Sequence, residues 1–422
     1  MKILFVANRT PIPCTAGNRA RILSLIRALA GWGHEIHYAF VDPKNIPAAD
    51  SAELETHLGG GSYHWIKVRD GHELDSTVAR GWRKLLRMMK HEAGYRLPLD
   101  HGYDPQTTEY LLRLQNRHHF DVVFIEYVFM SKATEAFSAE TLRVLDTHDA
   151  FGDRHKAFLK AGQEPSWYST SLREEETGFR RADVILAIQE EEAERFRRRL
   201  GIDGSRVHTV SHIIDLSQRI ELSDAPAAAF LGSVNAVNIS ALDFLIRDVV
   251  PRVRQQRPDF KLLVAGPISK GIERTDAVEP CGIVDRLADL FARAPISLNP
   301  MLMGTGVSIK LLDAMACGVP TVSTEIGARG LAPRFRRGML TVPDNDADAF
   351  ASAIQQLLAD RELRHSLGEM AFADATAWND QQNRALSDII AIRPKTAALP
   401  LDATPEMTKP AVDSGTVPGL PI

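Results

Sequence analysis

The residues most able to do chemistry lie in residues 294–331, APISLNPMLMGTGVSIKLLDAMACGVPTVSTEIGARGL. An apolar run ends at Asn299 and Pro300, and a glycine-rich loop of Gly304, Thr305, Gly306 and Val307 opens a helix, with Ser308 as its N-cap. Exposed backbone N–H groups at such a helix start attract anions, and Lys310 in the first turn adds a mobile positive charge. Asp313 follows three residues later on the same face, where a carboxylate accepts hydrogen bonds from a ribose diol. Phosphates over the helix end and sugar hydroxyls against a carboxylate describe a nucleoside diphosphate. A surface Lys310–Asp313 pair beside the apolar Leu311, Leu312 and Met315 is the plain alternative. The glycine loop before it and the Gly318–Thr324 exit after it favour the ligand.

A second candidate is the loop of residues 11–21, PIPCTAGNRAR. Gly17 permits close backbone approach, Asn18 is a candidate cap, and Arg19 and Arg21 fall in the first turn of the next helix. Cations there oppose the helix dipole unless an anion is near. Asp146, Thr147, His148 and Asp149 follow an apolar run, which puts His148 on a loop at a strand end with flanking carboxylates. A histidine there can share a proton with a hydroxyl near neutral pH. Glu126, ending the run DVVFIE, has the same topological position. His148 and Lys310 are therefore the catalytic candidates, with Glu126 and Asp149 as secondary ones.

Positioning these residues needs alternating strands and helices. Short apolar runs at residues 2–7, 34–41, 64–68, 121–126, 143–146 and 183–188 alternate with helix-period segments such as 19–30. A second series has strands at 228–231, 261–265, 296–299, 320–323 and 339–342, and helices at 240–257, 283–294 and 308–317. This is the pattern of two doubly wound α/β units whose parallel sheets are covered on both faces. Such sheets bind ligands at the carboxyl ends of their strands. No G-x-G-x-x-G follows the first strand, so a dinucleotide reading lacks its fingerprint.

The 422 residues suit two domains. A formal net charge of −4 provides no global basic field for nucleic acid. Cys14, Cys281 and Cys317 have neither zinc-ligand nor disulfide-scaffold spacing, which points to a reducing, cytoplasmic setting. Residues 80–96, RGWRKLLRMMKHEAGYR, form a basic amphipathic segment that could rest on anionic lipid or simply cover the sheet. Asp344, Asp346 and Asp348 superficially form a D-x-D metal motif, but Asp346 reads better as a helix N-cap. No cofactor and no metal are expected.

With these residues in view, the stretch 294–331 resembles the donor-site signature of the large retaining nucleotide-sugar glycosyltransferase family with the GT-B fold, which includes sucrose synthases and bacterial mannosyltransferases. FLGSVNAVN at 230–238, LDF at 242–244, RPD at 257–259, VAG at 264–266, GIVD at 282–285 and FARA at 291–294 continue the resemblance. It implies two Rossmann-like domains facing a central cleft. Residues 1–212 would bind the acceptor, 213–226 would link, and 227–375 would bind the nucleotide-sugar. Residues 376–392 would form a helix crossing back, and 393–422 a disordered tail. By this resemblance Asp313 replaces the glutamate that holds the donor ribose, and Thr305 stands where many members carry a second glutamate. Ser233 follows Gly232 where many members have arginine, with no lysine close behind. Neutralising the diphosphate would then fall to Lys310, backbone amides, and Arg19 or Arg21 beside Gly17. His148 would approach the transferred sugar, with Glu126 and Asp149 on the acceptor side. The implied activity is metal-independent transfer, with retention, from a UDP-, GDP- or ADP-sugar to a glycan, lipid-linked or small-molecule acceptor. A nucleotide-sugar epimerase, a sugar phosphorylase and a non-catalytic binding protein are the rivals.

Overall fold

A computed structural model describes residues 1–14, 16–69, 77–89, 91–160, 164–165, 168–303 and 307–392. The loop Gly304, Thr305, Gly306 and the tail 393–422 lie outside the described residues.

The chain forms two parallel sheets. The first holds β1 (Lys2–Ala7), β2 (Glu35–Val41), β3 (Tyr63–Ile66), β4 (Val122–Glu126), β5 (Leu142–Asp146), β6 (Val184–Ala187) and β7 (Val207–Thr209) in the order β3-β2-β1-β4-β5-β6-β7. The second holds β8 (Ala227–Leu231), β9 (Lys261–Ala265), β10 (Val278–Gly282), β11 (Ser297–Asn299), β12 (Thr321–Thr324) and β13 (Met339–Val342) in the order β10-β9-β8-β11-β12-β13. In β1, Ile3 and Phe5 face one apolar cluster and Leu4 and Val6 the other. Period-two side chains that are apolar on both faces require helices on both faces. Strand order reverses between β1 and β4 and between β8 and β11. At these reversals crossover helices leave on opposite sides and open a crevice at the strand carboxyl ends.

Most elements fall within a residue or two of the sequence pattern, and the differences have local causes. β10 carries Pro280, which lacks a donor and is tolerated because the strand lies at the sheet edge. Residues 240–257 contain a π-helical turn, Leu245–Val249, between two α-helical pieces. The final helix, Arg361–Ile390, runs unbroken through residue 375, where a boundary was expected. Its Ala371, Ala375 and Trp378 pack with Leu311, Leu312 and Met315 of the second half. Further on, Leu386, Ile389 and Ile390 join the cluster of Ile3, Phe5 and Tyr38 in the first half.

The same helix clamps the segment joining the halves. Gln382 Oε1 accepts from Ser211 N at 2.8 Å, and Trp378 Nε1 donates to His212 O at 2.8 Å. Asn379 accepts from Ile214 N at 2.9 Å and donates to Ile214 O at 2.7 Å. Irregular backbone can be buried here because side chains satisfy its donors and acceptors.

Candidate active site between the two halves

The helix Ile309–Ala316 follows β11, at the second sheet's reversal point. Ser308 occupies its N-cap position, but the hydroxyl donates to Asn299 Oδ1 at 3.3 Å instead of accepting from a helix amide. Lys310 reaches across to the turn after β8. Its Nζ donates to Asn238 Oδ1 at 2.6 Å and lies 4.7 Å from the centre of the Phe230 ring. Burial first, then repulsion from Arg329, pulls the Lys310 ammonium down to about 8. Asn238 in turn donates to Ser233 O at 2.8 Å, which fixes the loop carrying Gly232 and Ser233. A Cβ on Gly266 would come within 2.5 Å of Gly232 O, so this turn needs glycine for backbone to approach backbone. The turn after β12 is pinned by Asn299, which donates to Gly327 O at 2.9 Å, and it brings Arg329 beside Lys310.

Asp313, one turn on, is half-buried, and none of the described residues hydrogen-bonds its carboxylate. Burial alone pushes the carboxyl up to about 7. Its charge reaches the first loop of the opposite half, where burial, and to a lesser degree Asp313, raises the Cys14 thiol. There Gly17 abuts the start of the Ile309–Ala316 helix; a Cβ on it would stand 3.0 Å from Ile309 Cδ1. Lys310 and Asp313 therefore lie on a helix whose start abuts the Gly17 loop. Val307 flanks the helix start on a partly buried segment.

Across the gap, β4 and β5 pair in parallel with Glu126 beside Asp146. Both carboxylates are wholly buried. His148 has a left-handed backbone (φ 57°), which turns its ring back over the strand ends. Its Nε2 bonds Glu126 Oε2 and lies 3.8 Å from Asp146 Oδ2. The imidazole stacks on Tyr127 at 4.1 Å. Burial, then the neighbouring Asp146 charge, raises the Glu126 carboxyl, and His148 and Arg21 oppose that rise.

Arg21 is buried and forms a bidentate pair with Asp146, Nε at 2.7 Å and Nη2 at 2.9 Å, so its charge offsets two adjacent buried carboxylates. A buried acidic pair without a cation would be severely destabilising. Arg19 folds back on its own loop, donating to Pro13 O at 3.2 Å. Asn18 is not the helix cap, a position held by Ala16; its Nδ2 donates to Tyr127 Oη at 2.7 Å, beneath His148. Asp149 pairs with Arg154 at 2.9 Å. Asp346 caps its helix, accepting from Ala349 N at 2.9 Å.

Beyond Tyr127, Phe129 stacks at 5.0 Å and forms one wall of a cavity of about 330 Å³ at the carboxyl ends of β1 and β2. Asn8, Asp42, Arg69, His101, Asp104 and Tyr168 line it. Sequence reasoning missed Asn238, Arg329, Tyr127 and this cavity. Arg329 was findable, because it follows β12 just as Lys310 follows β11; Asn238 was not, because only packing brings it to Lys310.

Two facing parallel sheets with such a site at their reversal points define the GT-B class, and the comparisons agree. A model of the glycosyl transferases group 1 domain matches residues 225–360, and one of the Glycosyltransferase Family 4 domain matches residues 17–218. The chain belongs to this glycosyltransferase family. It is 26% identical over 280 residues to D-inositol 3-phosphate glycosyltransferase 2 of Catenulispora acidiphila. That match covers 57% of this chain and 65% of the relative, less than two thirds of the relative's length. Sucrose-phosphate synthase from Thermosynechococcus elongatus shares the fold with a TM-score of 0.62 at 17% identity, over 92% of this chain and 98% of that one. HepE of Anabaena, solved in complex with UDP-glucose, does so with a TM-score of 0.60 at 15% identity, over 92% of this chain and 100% of that one. Among the described residues no helix is long and apolar enough to cross a membrane.

Proposed function

We propose that this glycosyltransferase moves a sugar from a nucleoside diphosphate donor to a hydroxyl of a glycan or lipid-linked acceptor, with retention at the anomeric carbon. The observation that carries this reading is the half-buried Asp313 carboxylate, unpartnered among the described residues and one turn from Lys310. A carboxylate held out of water without donors is costly, and a ribose diol supplies two. In this reading Lys310, the amides of the Ser233 turn, and the Gly304–Val307 loop hold the diphosphate. UDP-sugars are the first donors to test, because a structural neighbour was solved with UDP-glucose.

In the reaction the acceptor oxygen bonds to C1 as the C1–O bond to the diphosphate breaks. The diphosphate leaves with the bonding electrons, and the acceptor proton passes to it. Lys310 offsets the charge that grows on the leaving oxygen. His148, its Nε2 bonded to the buried Glu126, positions the sugar and acceptor hydroxyls. The cavity beside Phe129 takes the acceptor, its aromatic and charged lining suiting a sugar ring. The half containing residues 1–212 is thus the acceptor domain, and 227–375 the donor domain. On the helix Thr77–Met88, Trp82, Leu85 and Met88 are exposed beside Arg87, and we assign this face to contact with anionic lipid.

Calorimetry with UDP, GDP and ADP tests the donor site. Asp313→Ala should weaken the preferred nucleotide by about 1–3 kcal/mol. Equal affinity in the variant and the parent protein would remove Asp313 from the site.

A further inference from the structure

At the edge of the seven-stranded sheet away from the donor site, three histidines meet. His37 lies near the start of β2, His64 near the start of β3, and His118 ends the helix Gln106–His118. That helix leads into β4, so its last turn lies at the amino ends of the parallel strands. In the β2–β3 register Ala39 pairs with His64, and His37 is two residues before Ala39, so both imidazoles stand on one face.

His37 Nδ1 and His64 Nε2 are 3.0 Å apart, with the rings parallel. The His118 ring is 4.6 Å from His37 and 5.4 Å from His64, tilted toward both. One nitrogen from each of the three rings falls within 4.8 Å of the others. Tetrahedral zinc bonds of about 2.0–2.1 Å set ligand nitrogens about 3.4 Å apart, a displacement of a few tenths of an ångström for the closest pair. Behind His37, Nε2 bonds Glu35 Oε1 at 2.9 Å. A carboxylate there accepts from Nε2–H and leaves the Nδ1 lone pair facing the cluster, as behind metal-bound histidines. Phe120, buried, closes one side against His37 and His118.

We propose that His37, His64 and His118 bind one divalent transition metal of the zinc class, with Glu35 behind His37 and water completing the coordination, fastening β2, β3 and the Gln106–His118 helix together. Three imidazoles suit zinc, cobalt, nickel or copper and not magnesium or calcium. Lys2, 3.9 Å from Glu35, and Arg117 oppose a dication and reduce the affinity. The strand amino ends face away from Lys310 and His148, so the role is structural and separate from the transfer reaction.

The test uses the full chain, without an affinity tag and stripped with chelator. Zn²⁺ is titrated against a chromophoric competitor, and Co²⁺ is followed by its visible absorption. One equivalent should bind with Kd on the order of 10 μM or tighter, and Zn²⁺ but not Mg²⁺ should raise Tm. His64→Gln and His118→Gln, at partly exposed positions, should each weaken binding at least tenfold, while His91→Gln, at an exposed position elsewhere, should not. Circular dichroism confirms that each variant is folded. No stoichiometric Zn²⁺ binding tighter than roughly 100 μM, or undiminished binding in both cluster variants, overturns the proposal.

Discussion

Replacing Asp313 by asparagine should make the unliganded protein more stable at alkaline pH while it loses grip on the nucleotide. Burial raises the Asp313 carboxyl from 3.8 to about 7. Between those values the unfolded chain has released its proton and the folded chain still holds it, so folding loses stability as pH rises. The contribution is complete below about pH 3.8, declines up to about pH 7, and is gone above it. A shift of roughly three units, at about 1.4 kcal/mol each, sets a ceiling of about 4 kcal/mol. Because part of the side chain meets solvent, about 2 kcal/mol is expected after screening. Asparagine has no such titration, so the variant should unfold about 4–8 °C higher than the parent at pH 8. At about pH 5 the gap should be less than half as large. Thermal unfolding of both proteins at the two pH values measures this. A gap independent of pH, or an asparagine variant less stable at pH 8, would refute the claim that this carboxylate is held desolvated for a ligand.

Other perturbations separate the roles of neighbouring residues. Lys310→Ala should lower kcat for nucleotide release from a donor sugar by about 10²-fold or more, with a smaller change in KM, because the charge matters most as the diphosphate departs. In the unliganded protein Lys310 loses its proton near about 8, so nucleotide affinity measured by calorimetry should fall as pH rises through that value. Arg21→Ala should act on folding, lowering stability by about 3–5 kcal/mol in urea titrations by leaving Asp146 and Glu126 buried without their cation. Gly17→Leu should wedge the two halves apart, since even a Cβ would stand 3.0 Å from Ile309. The expected result is weaker donor binding with an unchanged urea midpoint.

What the sequence determined is local. Short apolar runs marked β1, β9 and β13 to the residue, and in β1 and β9 the polar residue that opens the strand, Lys2 or Lys261, sits at its end and not within the buried run. The helix and the strand around Lys310 and Asp313 were readable because a helix start and the strand that follows it each depend on neighbours in the chain. β7 was not readable, as three residues hold too little pattern, and neither was β10, whose Pro280 suits only an edge.

Tertiary structure decided how each charge is used. Arg19 and Arg21 are equivalent on paper, yet only Arg21 faces the β5 end, where Asp146 claims it. Lys310 is held by Asn238, 72 residues away, because β8 and β11 are neighbours at the sheet's reversal point. His37, His64 and His118 have no motif spacing and meet only because β2, β3 and a helix end share one corner. Burial and the choice of partner depend on which strands become neighbours, and that is a property of the folded chain as a whole.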